Sequence, residues 1–286
     1  MADPVLSPQI RSLFPYEKWI PQTQTLRRQF RENRPYPHLH LRGFLDPATA
    51  AALAHEFPGL ETDAWTSYKH QNENKLGLTK RSLFPPLIGE IVDELNSPAF
   101  VSWLSEVTGI PGLMADEMLE GGGLHQSGRG GFLNVHTDFS QHHYHKDWNR
   151  RVNLILYLNP DWREEWGGAI ELWDRDVRNC VVKIPPFLND VLVFETNDIS
   201  FHGFPEPTSC PESESRKSIA LYYYTVNPGS KARSTNYVAR PQDGFLKRSL
   251  IWADKEILDL YSRAKVKFGF SDEFASKVLG FLSRKK

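Results

Sequence analysis

Cysteine is scarce in this chain of 286 residues: Cys180 and Cys210 are the two it has. They could form at most one disulfide, and neither sits in a CxxC pattern. An excess of either charge is also lacking. Lys and Arg number 34 against 35 Asp and Glu, a net charge of −1. That gives no electrostatic case for gripping nucleic acid or an anionic membrane. No apolar run approaches the length of a membrane span. The opening MADPVLSPQIRSLF has no apolar core of the secretory kind. The expectation is a cytoplasmic protein with two reduced thiols. Internal repeats and low-complexity segments are absent as well.

What is present is an ordinary globular composition, 40% hydrophobic and 24% charged, able to bury a core. Aromatics make up 12%, with eight tryptophans, which suits large side chains packed inside a sheet-rich body. The length is generous for one domain but within the range of a β-barrel or sandwich.

Residues 1–35 read as polar and irregular. FLDPATAAALAHEFPG reads as a helix, with Asp46 at the cap, Pro47 at the first helical position and Pro58-Gly59 at the end. PPLIGEIVDELNSPAFVSWLSEVTG reads as two more, the second capped by Ser97 and stopped by Gly109. After about residue 111 the texture changes to short runs of Val, Ile, Leu, Phe and Tyr between Gly, Pro, Asn and Asp clusters. Strands are expected near 132–138, 152–158, 169–173, 180–184, 190–195 and 219–225. Beyond Pro228 the chain turns basic, and DKEILDLYSRAKVKF and SDEFASKVLGFL look like amphipathic helices. The plan is one catalytic domain spanning 1–286: helical support (about 1–110), a β core (about 111–228) and a helical extension (about 229–286). Many short strands with frequent turns suggest a barrel or double-sheet jelly roll.

Three pieces carry chemistry. His136-Thr137-Asp138 ends a predicted strand, and side chains at i and i+2 of a strand share a face. An imidazole and a carboxylate therefore converge, as two ligands of one metal ion must. His202 follows the DVLVFE strand, and a sheet closing on itself could bring it beside His136. Two histidines and a carboxylate make a facial triad suited to non-haem iron(II), although zinc takes the same donors in principle. Arg216 and Ser218 alternate at the mouth of the last core strand, so they share a face. An arginine facing into a barrel is costly unless an anion meets it. A dicarboxylate that also chelates the metal would meet it through paired charge-assisted hydrogen bonds. Taken singly, each piece has a plainer reading: a strand His–Asp contact, a loop histidine, a surface arginine.

Together, HTD…H…RKS and the stretch RRVNLILYLNPDWREEWGGAIELWD resemble the iron(II)/2-oxoglutarate-dependent oxygenases, specifically their prolyl-hydroxylase-like branch. The likeness covers roughly residues 35–228 and is strongest over 130–225. It implies a mainly β fold with flanking helices around a double-stranded β-helix (jelly-roll) core. It implies His136, Asp138 and His202 as iron ligands and Arg216 as partner of the far carboxylate of 2-oxoglutarate, with Ser218 at the second polar position. Tyr157 matches a tyrosine that bonds the cosubstrate in some members. The implied cofactors are Fe(II), 2-oxoglutarate and O2, with ascorbate as an accessory reductant. The implied reaction hydroxylates an unactivated C–H bond of an amino acid, a prolyl residue or a small metabolite, releasing succinate and CO2. Because Asp138 is present, halogenation is disfavoured.

Other features are secondary. GGGLHQSGRGG (121–131) lacks GK[ST] and precedes a strand, so it reads as a flexible pocket loop whose His125 and Arg129 either touch the substrate or, as the plainer reading, stand in solvent. His142, His143 and His145 read as a lid over the pocket or a solvated loop, with a rival metal cluster as the other choice. The C-terminal helices cover the pocket, extend the support layer or make a dimer contact. Two rival functions stay open: a cupin-like metal enzyme without 2-oxoglutarate, and a non-catalytic jelly-roll binding module.

Overall fold

Apolar residues at helical spacing organise the first part of the computed structural model, which describes residues 12–268. Helices α1 (Tyr16–Trp19) and α2 (Thr23–Glu32) bury Trp19, Leu26 and Phe30. The expectation of irregular chain is therefore wrong for this part. Gln and Arg on the outer face mask an apolar stripe that only the helical period brings out. Strand β1 (His38–Leu41) leads to α3 (Pro47–Glu56), which starts with Pro47 as read and buries Ala50 and Leu53. The hairpin β2 (Thr66–His70) and β3 (Glu73–Leu78) was not anticipated, because TSYKH and ENKLGL carry charges where an apolar alternation would announce a strand.

Helices α4 (Pro86–Leu95) and α5 (Pro98–Thr108) follow the expected punctuation. The Ser97 hydroxyl accepts from the Phe100 amide at 3.3 Å, and Gly109, at φ 71°, ends α5 in the left-handed region. Then come β4 (Met114–Ala115), β5 (Gly123–Ser127), β6 (Phe132–Thr137), β7 (Trp148–Tyr157) and β8 (Ile170–Trp173). They are followed by β9 (Cys180–Ile184), β10 (Val191–Glu195), β11 (His202–Phe204), β12 (Arg216–Val226) and β13 (Asn236–Tyr237). Strand β5 lies inside the stretch read as a flexible glycine loop. Helix α6 (Phe245–Phe268) begins earlier than expected, and SDEFASKVLGFL lies outside the described residues.

The strands form one antiparallel, 13-stranded sheet in the order β1-β10-β7-β12-β5-β3-β6-β11-β8-β9, with β13 on β6, β2 on β3 and β4 on β12. Its shape follows from alternation. Val152, Leu154 and Leu156 of β7, with Ile219, Leu221 and Tyr223 of β12, pack in the main core with α2 to α5. The residues between them, such as Asn153, Ile155, Ser218 and Tyr222, face a cavity on the other side. A second core joins Tyr157, Leu192 and Phe194 to Ile170, Leu172 and Ile184. Those two groups stand at distant places in the strand order, so the sheet curls over itself into the jelly roll. Cys180 and Cys210 are free thiols. No helix among the described residues is long and apolar enough to cross a membrane.

Helix α6 is tied to the β2–β3 turn. His70 Nδ1 lies 2.8 Å from Asp254 Oδ2, and its Nε2 lies 2.8 Å from Glu73 Oε1. The Asn72 amide donates to Asp254 at 2.6 Å. Burial works against a charged His70, but the two carboxylates outweigh it and raise its pKa from 6.5 to about 9. Its contribution to stability is complete below pH 6.5 and is lost as pH rises through about 9. His70→Gln should therefore flatten the loss of unfolding free energy across that alkaline window, as read by denaturant titration at a series of pH values. An unchanged pH slope would show that the charged triad is not formed.

Candidate metal centre

The two histidines far apart in the chain meet because β6 pairs with β11 in one register, His136 opposite His202. Gly203 permits that pairing. A Cβ there would lie 2.7 Å from the Leu133 carbonyl and 2.9 Å from that of Asn134. The imidazole rings are 4.4 Å apart, centre to centre. Asp138 follows just past the end of β6. Its Oδ1 lies 3.5 Å from His136 Nε2 and its Oδ2 3.5 Å from His202 Nε2. One donor atom from each of the three lies within 4.8 Å of the others, a grouping unique among the described residues.

The ring orientations are held from behind. His136 Nδ1 lies 2.9 Å from the Asn134 carbonyl, and His202 Nδ1 lies 2.9 Å from the Ser200 carbonyl. A carbonyl can only accept, so each Nδ1 carries a proton and each Nε2 is the ring atom that faces Asp138. Burial outweighs the attraction of Asp138 and lowers the His202 pKa to about 4, so its ring is neutral at pH 7. For Asp138, burial opposes the charge, yet Arg150 and the imidazoles hold its pKa well below the usual carboxylate range. Arg150 Nη2 lies 3.3 Å from Asp138 Oδ2, and the Asn153 amide donates to the same oxygen at 2.8 Å. Arg150 also donates to Asn153 Oδ1 at 2.7 Å and stacks 3.3 Å from the centre of the Tyr222 ring.

Arg150, Asn153 and Tyr222 were not singled out from sequence. Strict alternation along NRRVN puts Arg150 and Asn153 on opposite faces. Between β7 and β12 the register shifts: Tyr223 faces Val152, whereas Tyr224 faces Arg150. The extra residue, Arg151, is a bulge that brings Arg150 round to the cavity. Lys75 was missed with its hairpin, and it too lines the cavity.

Arg216 is buried at the other end. Its Nε donates to the Gly168 carbonyl at 2.7 Å and its Nη2 to the Tyr157 hydroxyl at 3.3 Å. Its guanidinium carbon sits 4.2 Å from the centre of the Phe204 ring. Among the described residues no carboxylate pairs with it, and burial pulls its pKa down. Ser218 lies opposite Tyr157 on β7 and His125 on β5. His125 faces the cavity, and burial together with Lys75 lowers its pKa to about 3. Arg129 is not brought there. Its Nη1 reaches out to the carbonyls of Ser209 and Cys210 at 3.2 and 3.1 Å.

The His142–His145 segment divides. His142 is buried against Asp116, Glu120, Trp148 and Tyr224, whereas residues 144–147 are exposed. A solvated loop describes only its tip. His145 stacks on Trp148 with centroids 4.3 Å apart.

The profile of the 2OG-Fe(II) oxygenase superfamily matches residues 122–224, which contain His136, Asp138, His202 and Arg216. Residues 122–224 are a 2OG-Fe(II) oxygenase domain. The chain is similar to prolyl 3-hydroxylase OGFOD1 of Mus musculus, 37% identical over 79 residues. It is also similar to the Xenopus laevis protein of that name, 26% identical over 144 residues. These alignments cover 26% and 48% of this chain, and only 14% and 28% of the relatives' own lengths. In fold it resembles the Trichoplax adhaerens prolyl hydroxylase solved with a hypoxia-inducible-factor peptide. That likeness has a TM-score of 0.52 and 17% identity, and covers 72% of this chain and 91% of the other.

Loss of an outer hydrogen bond that orients a metal-binding carboxylate costs about 10- to 100-fold in metal affinity. Asn153→Ala in the oxygenase core should therefore weaken Mn(II) binding by about that factor. Anaerobic titration followed by electron paramagnetic resonance reads it, and unaltered affinity would leave Asn153 a packing residue.

Proposed function

We propose that the chain is a non-haem iron(II)/2-oxoglutarate-dependent hydroxylase acting on an unactivated C–H bond of a prolyl residue, an amino acid or a small metabolite. One observation carries this reading. A donor set of two imidazoles and a carboxylate shares a cavity with a buried arginine that has no carboxylate partner among the described residues. A facial triad leaves metal positions open. An unpaired buried guanidinium calls for an anion. 2-Oxoglutarate answers both needs with one molecule.

In this reading His136, Asp138 and His202 hold the iron, and Arg216 takes the far carboxylate of the cosubstrate, with Ser218 and the Tyr157 hydroxyl beside it. The iron with 2-oxoglutarate supplies the oxidising power, drawn from O2 with release of succinate and CO2. The chain's own residues do the rest. The Asn134 and Ser200 carbonyls keep each imidazole proton on Nδ1, away from the donor atoms. Arg150 and Asn153 keep Asp138 ionised and aimed. Leu133, Ile155, Ile170 and Phe204 line the cavity and exclude water from it. His125 stands where it can touch the prime substrate. Arg129 is proposed only as a contact outside the cavity, where a peptide would extend.

The names of the relatives, prolyl 3-hydroxylase and prolyl hydroxylase, support a prolyl residue among the substrate choices. A cupin-like enzyme without 2-oxoglutarate has no use for the Arg216 counter-charge. A non-catalytic module has no use for the oriented donor set. We further propose a single catalytic unit over 1–286 and, from the free thiols, a reducing cytoplasmic setting.

Anaerobic addition of Fe(II) and 2-oxoglutarate should produce a visible metal-to-ligand charge-transfer band, and folded protein without one would speak strongly against the assignment. Charge-assisted hydrogen bonds are each worth about 1.5–3 kcal/mol. Arg216→Ala should therefore raise the 2-oxoglutarate requirement by about 10- to 100-fold while iron binding changes little. An unaltered cosubstrate dependence would remove Arg216 from this role.

A further inference from the structure

We propose that Lys75 selects the prime substrate by pairing with a carboxylate held beside the C–H bond to be oxidised. The proposal rests on the hydroxylase reading above and names the chemistry of the missing substrate. Neither the metal nor the cosubstrate needs Lys75.

The charges on the cavity wall are unbalanced. Lys75, Arg150 and Arg216 line it, and Asp138 is the sole carboxylate that does. In the hydroxylase reading a divalent cation and a dianion are added, which cancel. Arg216 and Asp138 are then engaged by the cosubstrate and the metal. Since the added charges cancel, three cations still face one carboxylate, and the cavity keeps a positive surplus.

Glu73 does not remove that surplus, because it stands behind the wall and is shared. Its Oε2 lies 2.9 Å from Lys75 Nζ, while its Oε1 lies 2.8 Å from His70 Nε2. An ammonium has three donors. Among the described residues Glu73 is the only carboxylate pairing with Lys75. On the cavity side the ammonium acts electrostatically on Tyr222 and His125, both uncharged at neutral pH. The Tyr68 ring centre lies 5.7 Å from Nζ. Donors are therefore left over, directed into a partly desolvated space: the Lys75 side chain is 18% exposed.

Arg150 is less able to do this work. It is clamped by Asn153, by Asp138 and by its stack on Tyr222. Lys75 has a flexible stem and a compact charge. An apolar or cationic substrate group placed against it would strip water from the ammonium and return nothing. A carboxylate would return a charge-assisted hydrogen bond.

The carboxylate can belong to the oxidised residue itself or to a neighbouring acidic residue of a peptide, and two matched pairs of probes separate these sources. One pair is N-acetyl-L-proline and N-acetyl-L-prolinamide. The other is N-acetyl-Pro-Asp-amide and N-acetyl-Pro-Asn-amide. Each is titrated anaerobically into the Fe(II)·2-oxoglutarate complex, and the perturbation of the charge-transfer band is followed. The expected result is that one acid binds at least about tenfold tighter than its amide partner. Lys75→Gln should shrink that preference to within about twofold, Lys75→Arg should keep it, and Lys75→Glu should turn it toward the amide. Wild-type protein without an acid preference in either pair, whether both members bind or neither does, overturns the proposal. So does a preference that survives in Lys75→Gln. Absence of the charge-transfer band before any probe is added is a different failure, which defeats the hydroxylase reading and this proposal with it.

Discussion

One register point in one pair of strands governs the site. His136 and His202 face each other because β6 and β11 meet there, and they meet so closely because Gly203 has no side chain. A slip of one residue would send His202 to the other face of the sheet. The helical layer acts on other strands of the same sheet. It covers the apolar faces of β7 and β12, which leaves their polar faces no choice but the cavity. Alternation thus does two jobs with the same strands: one face is packed, and the other lines the cavity.

Electrostatics then grade the chamber from end to end. In the middle, a buried neutral His202 and the His136 ring stand against an ionised Asp138, a donor set suited to a divalent metal. At one end Arg216 is held by the Gly168 carbonyl and the Tyr157 hydroxyl, neither of which neutralises it. On the side formed by β3, Lys75 is half answered by Glu73, which is half engaged by His70, which reaches Asp254 on α6. That alternating chain links the C-terminal helix to the cavity wall.

Much of this was legible in the residues. The family resemblance adds His202 to the donor set and gives Arg216 its anion, while period-two geometry, a local property, puts His136 with Asp138 and Arg216 with Ser218. Caps and stops such as Ser97 and Gly109 were legible for the same reason. The helix over Thr23–Glu32 was missed because polar composition hides a one-sided stripe. The β2–β3 hairpin was missed because β3 is fixed by pairing with β5 and β6, and β2 by pairing with β3, which its mostly polar residues do not announce. Arg150 was missed because a bulge breaks the alternation that would be used to find it.

By itself, then, the sequence determined the class of fold, the residues able to bind a metal and the presence of a cation that needs an anion. These rest on spacing along the chain and on the family resemblance that its motifs carry. Tertiary structure alone decided that Asn153 and Arg150 brace Asp138, that Arg129 turns away, and that Lys75 looks into the cavity. Those facts depend on strand register, a bulge and the curl of the sheet. Each arises from pairings between segments far apart in the chain, where no local periodicity records who will be opposite whom.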